Sequence, residues 1–267
     1  MAMNCQNELR MCRRNRLIGY CHSEAELSNS TSPCEPGIKY MYGCHIEVHP
    51  ASEDAVDYYD YKGWYSTVLL ALVDYRYRFL YINVGSPGRC NDSQIYERSL
   101  LKKHISESDI LDQYSKDICG TKIPIYIIGD SAFRFSKNLM KPYPFNANND
   151  SRRKKFNYLL SKHRRVVENA FGHLKARFRR VGKGIDNKIQ NVNLIIKTCC
   201  LLHNFLNENN DNVNNKWLKD LEQYDKLRKN LQNQTVLDDT INDAEQIRHA
   251  LSLYALRTVS DVKGESL

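Results

Sequence analysis

Ser66-Thr-Val-Leu-Leu-Ala-Leu-Val73 runs for eight residues without a charge, and Tyr77-Arg-Phe-Leu-Tyr-Ile-Asn-Val84 follows it almost at once. The second run is rich in the aromatic and β-branched side chains that a pleated surface accepts. With Asp74-Tyr-Arg76 between them, the two predict a β-hairpin whose first strand is buried. A chain built around that hairpin needs a sheet and something to cover it.

The neighbouring segments supply both. Gly37 to Pro50 carries a short apolar alternation. Ile123-Pro-Ile-Tyr-Ile-Ile128 is an apolar run that stops abruptly at Gly129-Asp-Ser131, as a central strand delivering an aspartate at its C-terminal end would. Helical spacing predicts a helix over Ser93 to His104, with Ile95, Leu100 and Leu101 on one side and Ser93 as its cap. From Lys162 to Arg180, Val167, Ala170, Phe171, Leu174 and Phe178 also fall on one face. A third helix, Val192 to Leu206, is apolar over most of its surface and is expected to be buried, with Cys199 and Cys200 as small hydrophobes. Strands and helices alternate in a mixed α/β order.

The flanks differ in composition. Residues 1–36 read as a polar tail, 37–206 as the folded domain, and 207–267 as an amide-rich linker followed by a loosely helical tail. In 267 residues, 42% hydrophobic content with 12 Gly and 7 Pro excludes collagen-like and wholly disordered chains. The longest apolar run, Thr67 to Val73, falls far short of the roughly 20 residues of a membrane span, so a soluble protein with no membrane partner is expected. Glu8, Arg10, Arg13, Arg14 and Arg16 stand where a secretory signal would need an apolar stretch. The nine cysteines show no zinc-ligand or C-x-x-C spacing and read as free thiols of the nucleus or cytoplasm.

The net charge of +8 is unevenly placed. Between Ser151 and Lys188 thirteen Lys and Arg face only Glu168 and Asp186, which leaves the rest of the chain net negative. Solubility does not require one sign gathered in one place, whereas binding a polyanion does. Nucleic acid is the expected partner, contacted through Arg152, Arg153, Lys154, Lys155, Arg164, Arg165, Lys175, Arg177, Arg179 and Arg180. The run Arg152 to Lys155 could also serve nuclear import.

Two acids stand out within this frame. Asp130 ends the apolar strand, although a turn or cap aspartate would look the same. Glu168 is the sole acid of Lys162 to Arg180 and borders the apolar stripe, with Arg164 and Arg165 one turn before it and Lys175 two turns after. As a plain helix-surface glutamate it would be worth only a few tenths of a kcal/mol. As a carboxylate beside phosphate-holding arginines it could ligate Mg²⁺ or Mn²⁺, and paired ions of this kind cleave phosphodiesters.

Ordered blocks along the chain resemble the PIF/Harbinger transposases and the nucleases derived from them. They are Tyr61-Lys-Gly-Trp-Tyr-Ser66, Gly85-Ser-Pro-Gly-Arg-Cys-Asn-Asp-Ser93, Gly129-Asp-Ser-Ala-Phe133 with Pro142-Tyr143, Arg165 to Arg179, and Cys200-Leu-Leu-His-Asn-Phe205. The resemblance covers about Gly37 to Leu206. It implies an RNase H-like mixed sheet flanked by helices and a triad of two aspartates and a glutamate that holds Mg²⁺ or Mn²⁺ for DNA cleavage. On this chain Asp130 matches the second aspartate and Glu168 the glutamate. The first should precede Gly-Cys-His in Met41-Tyr-Gly-Cys-His-Ile46, where Tyr42 stands instead. A phenol titrating near pH 10 is no substitute for a hard anionic ligand. Glu47 would face away on an alternating strand, and Asp54 and Asp57 fall in a loop. Asp92 is the better spare acid, expected to organise the site or cap the next helix. The family also carries a longer region before its first aspartate, and a separate Myb-like partner often supplies sequence recognition there. The reading is therefore a metal-dependent DNA endonuclease impaired at Tyr42. The alternatives are a non-catalytic DNA-binding or partner-binding module of the same ancestry, and a basic scaffold for RNA or an acidic protein.

Overall fold

The predicted hairpin forms the middle of the sheet in the computed structural model, which describes residues 39–107, 110–144, 150–226 and 242–264. The tail expected over 1–36 lies outside these residues. Strand β1 (Lys39–Glu47) is followed by the short helix α1 (Ala55–Tyr58) and then by β2 (Ser66–Val73) and β3 (Phe79–Pro87). Every residue of β2 is buried, because the strand lies between β1 and β3 with helices on both faces. The turn after β2 is closed by Asp74, which accepts from the Arg76 and Arg78 amides at 2.9 and 3.0 Å.

Beyond the hairpin come α2 (Asp92–Glu97), α3 (Leu100–Glu107), α4 (Ile110–Gln113), and strands β4 (Lys116–Ile118), β5 (Thr121–Ile123), β6 (Ile127–Ile128) and β7 (Leu139–Met140). The helix expected over Ser93 to His104 is broken at Arg98 and Ser99. Asn91, not Ser93, caps its first part by accepting from the Gln94 amide at 2.8 Å. Ser99 caps the second through the Lys102 amide. The strand order is β3-β2-β1-β6-β7, antiparallel among the first three and parallel from β1 through β7, while β4 and β5 form a separate hairpin. This is the mixed sheet of an RNase H-like α/β fold. Only Ile127 and Ile128 of the apolar run join the main sheet, since Ile123 belongs to the side hairpin.

Helices α5 (Ser151–Arg177), α6 (Arg179–Lys183), α7 (Ile189–Glu208), α8 (Asn215–Lys226) and α9 (Asn242–Gly264) complete the described chain. Val167, Ala170, Phe171 and Leu174 bury the predicted stripe of α5 against one face of the sheet, and Ile95, Tyr96 and Leu101 of α2 and α3 cover the other. Two expectations are corrected. Helix α7 buries only Val192, Ile196, Cys200, His203 and Asn204, and Leu194, Leu201, Leu202 and Phe205 stay in solvent, because α7 covers the sheet from its outer side. The segment expected as a loosely helical tail contributes α9, whose Ala244, Ile247, Ala250 and Leu251 join the main core. Arg248 of that helix lies 4.2 and 4.1 Å from the ring centroids of Phe135 and Tyr143. None of the described helices is long and apolar enough to cross a membrane.

The block Cys200 to Phe205 holds the edge of the sheet. Buried Asn204 accepts from the Phe79 amide at 2.8 Å and donates to the Phe79 carbonyl at 2.9 Å, which gives β3 the partner that an edge strand lacks. Neutral His203, its pKa lowered to about 4 chiefly by burial, sits 2.9 Å from the Tyr77 carbonyl. Replacing Asn204 with Ala strands one buried donor and one buried acceptor, so denaturant unfolding should show a loss of about 1–3 kcal/mol. Wild-type stability in Asn204→Ala would mean that the edge is held elsewhere.

Candidate active site

Asp130 stands two residues past the end of β6. The parallel ladder pairs Lys39 with Ile127 and Tyr40 with Ile128. The ladder ends there, and beyond it Tyr42 and Asp130 line one cavity. The position that the resemblance assigns to a carboxylate therefore shares a cavity with the acid it assigns as second. The ladder between β1 and β2 runs unbroken from Tyr40 to Glu47, so no bulge turns Glu47 toward Tyr42. Glu47 instead lies 3.5 Å from the Tyr224 hydroxyl of α8.

Local chemistry fixes Asp130. Its Oδ1 accepts from the Ala132 amide at 2.8 Å, a turn typical of aspartate. Buried Lys141 holds the same turn by donating to the carbonyls of Ser131 and Phe133 at 3.3 and 3.0 Å. Burial raises the pKa of Asp130, opposed by the Ala132 amide and by the charges of Arg164 and Lys141.

Asp92 reaches the same place from the opposite face of the sheet. As the first residue of α2 it turns its carboxylate onto the strand, where Oδ2 accepts from the Gly43 amide at 2.8 Å. Only glycine leaves room for it, since a Cβ on Gly43 would fall 1.9 Å from Asp92 Oδ1. Burial first, and the charge of Asp130 second, push the Asp92 carboxyl up from 3.8 to about 6, against the pull of His45, the Gly43 amide and Lys62. Asp92 is thus seated on β1, and the helix cap falls to Asn91.

Tyr42 stands among these charges. Its phenol is pushed far above the usual range by burial and then by Asp130, with smaller contributions from Asp92 and Glu168, while Arg164 pulls the other way. It is neutral at any physiological pH. The ring forms a wall common to two cavities. One, of about 270 Å³, is lined by Asp130, Ser131 and Arg164, and the other, of about 340 Å³, by Glu168, Lys62 and Lys175. Asp130 and Glu168 therefore line different cavities, with Tyr42 between them.

Glu168 is paired within its own helix. Arg164 binds it at 3.1 Å, and the guanidinium also lies 6.0 Å from the Tyr42 ring centroid. Both side chains are over two-fifths exposed. Such a pair is worth only about 0.3–0.5 kcal/mol, so a phosphate or a cation can displace it.

The basic residues separate into two groups. Lys154, Arg164, Arg165, Arg179 and Arg180 are exposed. Arg152 is bound to Asp150, Arg153 lies over the Tyr143 ring, Lys155 over Tyr158, and Lys175 reaches the His45 carbonyl. Arg177 leaves the interface altogether. Its side chain is 4% exposed and bonds Asn207, the His203 carbonyl and Asp211, joining α5 to the end of α7. A contact between segments so far apart in the chain has no local sequence signal.

Among the described residues no three His, Cys, Asp or Glu side chains converge as a metal cluster. The charge of Asp130 acts on the Asp92 carboxyl, and a cation near both would relieve that repulsion. That donor set fits one hard cation, which typically takes one or two carboxylates and completes its shell with water and phosphate. It does not fit a three-carboxylate, two-metal centre. Sequence reasoning missed Lys141, Tyr61 and Lys62. The last two lie in the block Tyr61 to Ser66.

Residues 41–204 match a family described as DDE superfamily endonuclease. Curated relatives include the Arabidopsis thaliana protein Antagonist of Like Heterochromatin Protein 1, 30% identical over 159 residues, which are 59% of this chain and 40% of that protein. The putative nuclease HARBI1 of Homo sapiens is 25% identical over 173 residues, 63% of this chain and 46% of its own length. The chain thus spans less than half of each of these relatives. No solved structure matches it.

The raised carboxyl of Asp92 sets the sign of a pH effect. A group bound more tightly to its proton in the folded state contributes stability below its unfolded pKa, and that contribution is lost as the pH rises through the folded value. Asp92→Asn, which keeps an acceptor for the Gly43 amide, should therefore melt roughly 3–6 °C above wild type at pH 8 in chelator. The gap should close between pH 6 and pH 4, the span of the shift. Melting curves with no gap at pH 8 would contradict the placement of Asp92.

Proposed function

Because this chain belongs to the DDE superfamily endonuclease family, we propose that it is a transposase-derived, divalent-metal-dependent DNA endonuclease domain, slowed by Tyr42 at the first aspartate position. The observation that carries this reading is the cavity that Tyr42 and Asp130 line together, with Asp92 seated on the neighbouring Gly43 amide. Asp92 and Asp130 would hold Mg²⁺ or Mn²⁺, which when bound supplies a Lewis acid and lowers the pKa of water.

The remaining steps belong to the protein. Asp130, fixed by the Ala132 amide and by Lys141 on its turn, keeps its carboxylate at one position and spares the reaction the reorganisation that a mobile acid would need. Arg164 can leave Glu168 for a substrate phosphate, and the freed Glu168 then faces the cavity on the far side of Tyr42. Arg165, Lys154, Arg179 and Arg180 would hold the backbone on either side without reading sequence. Neutral Tyr42 can neither ligate a hard cation well nor accept a proton at physiological pH, and it fills space between the two acids. A slow reaction follows from that loss. DNA as the substrate fits a nuclear location, with sequence choice left to a Myb-like partner protein.

Purified protein with Mn²⁺ should nick supercoiled plasmid slowly, Asp130→Asn should abolish nicking, and Tyr42→Asp should raise the rate at least about tenfold. Nicking unchanged in Asp130→Asn would refute the site. DNA binding with no cleavage by either wild type or Tyr42→Asp would leave a non-catalytic binding module as the better account.

A further inference from the structure

Asp60 is 3% exposed and takes no part in the carboxylate pair, yet it builds a turn next to it. Its Oδ1 accepts from the Lys62 and Trp64 amides at 2.8 and 3.3 Å. Its Oδ2 accepts from Ser66 Oγ at 2.9 Å and lies 3.2 Å from His45 Nδ1. Burial would raise its pKa, but the bonds from His45 and Ser66 bring the carboxyl below its ordinary value. Gly63 completes the turn at a φ of +85°, in the left-handed region that favours glycine. A buried ionised carboxylate with four partners makes a rigid support.

What the turn presents is an aromatic ring and a cation. Tyr61 is 44% exposed, sits edge-on to His45 at 5.4 Å between centroids, and has the Lys62 ammonium 5.5 Å from its own centroid. His45, which its ring faces, stands two residues along β1 from Gly43, where Asp92 is seated, and the Tyr61 hydroxyl is pushed up to about 12 by burial and by the charges of Asp92, Asp60 and Asp130. Lys62 acts on Asp92 in the opposite sense. Tyr59 and Tyr65, 52% and 40% exposed, stand edge-on at 5.5 Å in the same loop. Isolated exposed tyrosines are ordinary on a protein surface. Here the ring is fixed, carries its own cation and borders the carboxylates. Lys62 and Lys175 line one cavity, so a strand crossing the turn would find cations for its backbone there and the tyrosines for its bases.

We propose that the Tyr61-Lys62 turn, held by Asp60, stacks an unpaired nucleobase of the strand whose phosphodiester lies at Asp92 and Asp130, which makes DNA with unpaired bases the preferred substrate. The proposal rests on the DNA reading above and narrows it. Bases in an intact duplex have both faces covered by their neighbours, whereas an unpaired base offers a free face to an aromatic ring whatever its identity.

The test compares two fluorescent duplexes of one sequence, fully paired and with three unpaired thymines, bound to the full chain in chelator at one salt concentration. Wild type should bind the interrupted duplex more tightly, by roughly 5- to 100-fold for a stacked base. Tyr61→Ala should lose that preference and keep its affinity for the paired duplex, and Tyr61→Phe should retain the preference because the ring carries it. A wild type without preference, or a preference unchanged in Tyr61→Ala, overturns the role of the turn alone. A wild type that binds neither duplex overturns the DNA reading and this proposal with it.

Discussion

The hydrogen bond from the Gly43 amide to the Asp92 carboxylate joins the centre of β1 to the start of α2 across 49 residues of sequence. It requires a strand position with no side chain, and it draws an acid from one face of the sheet to within electrostatic reach of Asp130 at the end of β6. A hydrogen-bonded carboxylate on a backbone amide keeps its place when its charge is least welcome. The position of α2 over Leu70 and Leu72, the crowding of Asp130, and the space left to Tyr42 all follow from that seat.

Tyr42 divides the region in two. On one side lies the cavity of Asp130, and on the other the cavity of a single glutamate tied to an arginine at the protein surface. The two halves differ in energy scale. Burial first and the charge of Asp130 second push the Asp92 carboxyl up to about 6, whereas the Arg164–Glu168 pair is worth about 0.3–0.5 kcal/mol. The carboxylate pair is thus the fixed part of the site, and the α5 side chains are the part that a polyanion can rearrange. The same division explains why Tyr42 is tolerated by the fold. It removes one charge from a place that already has two.

Much of the architecture is visible in the residues because it is local. The uncharged run Ser66 to Val73 became the fully buried strand, and the spacing of Val167, Ala170, Phe171 and Leu174 became the buried stripe of α5. Asp130 was legible because an apolar strand stops before it. Asp92 was legible only as an acid in a turn block, since its partner is an amide on another strand. Arg177 misled because a cation is read as exposed until a distant loop covers it. The outward face of α7 was unreadable because apolar periodicity does not say which layer is outermost. Helix α9 did carry a signal, with Ala244, Ile247 and Leu251 at helical spacing, but alanine marks a packed face faintly.

Titration calorimetry with Mn²⁺ tests the central claim, that the cation site is Asp92 with Asp130. Wild type and Glu168→Gln should bind Mn²⁺ with similar affinity, while Asp92→Asn and Asp130→Asn should each lose it. Binding that survives in Asp92→Asn and disappears in Glu168→Gln would contradict the account, because the metal would then sit on the α5 side of Tyr42.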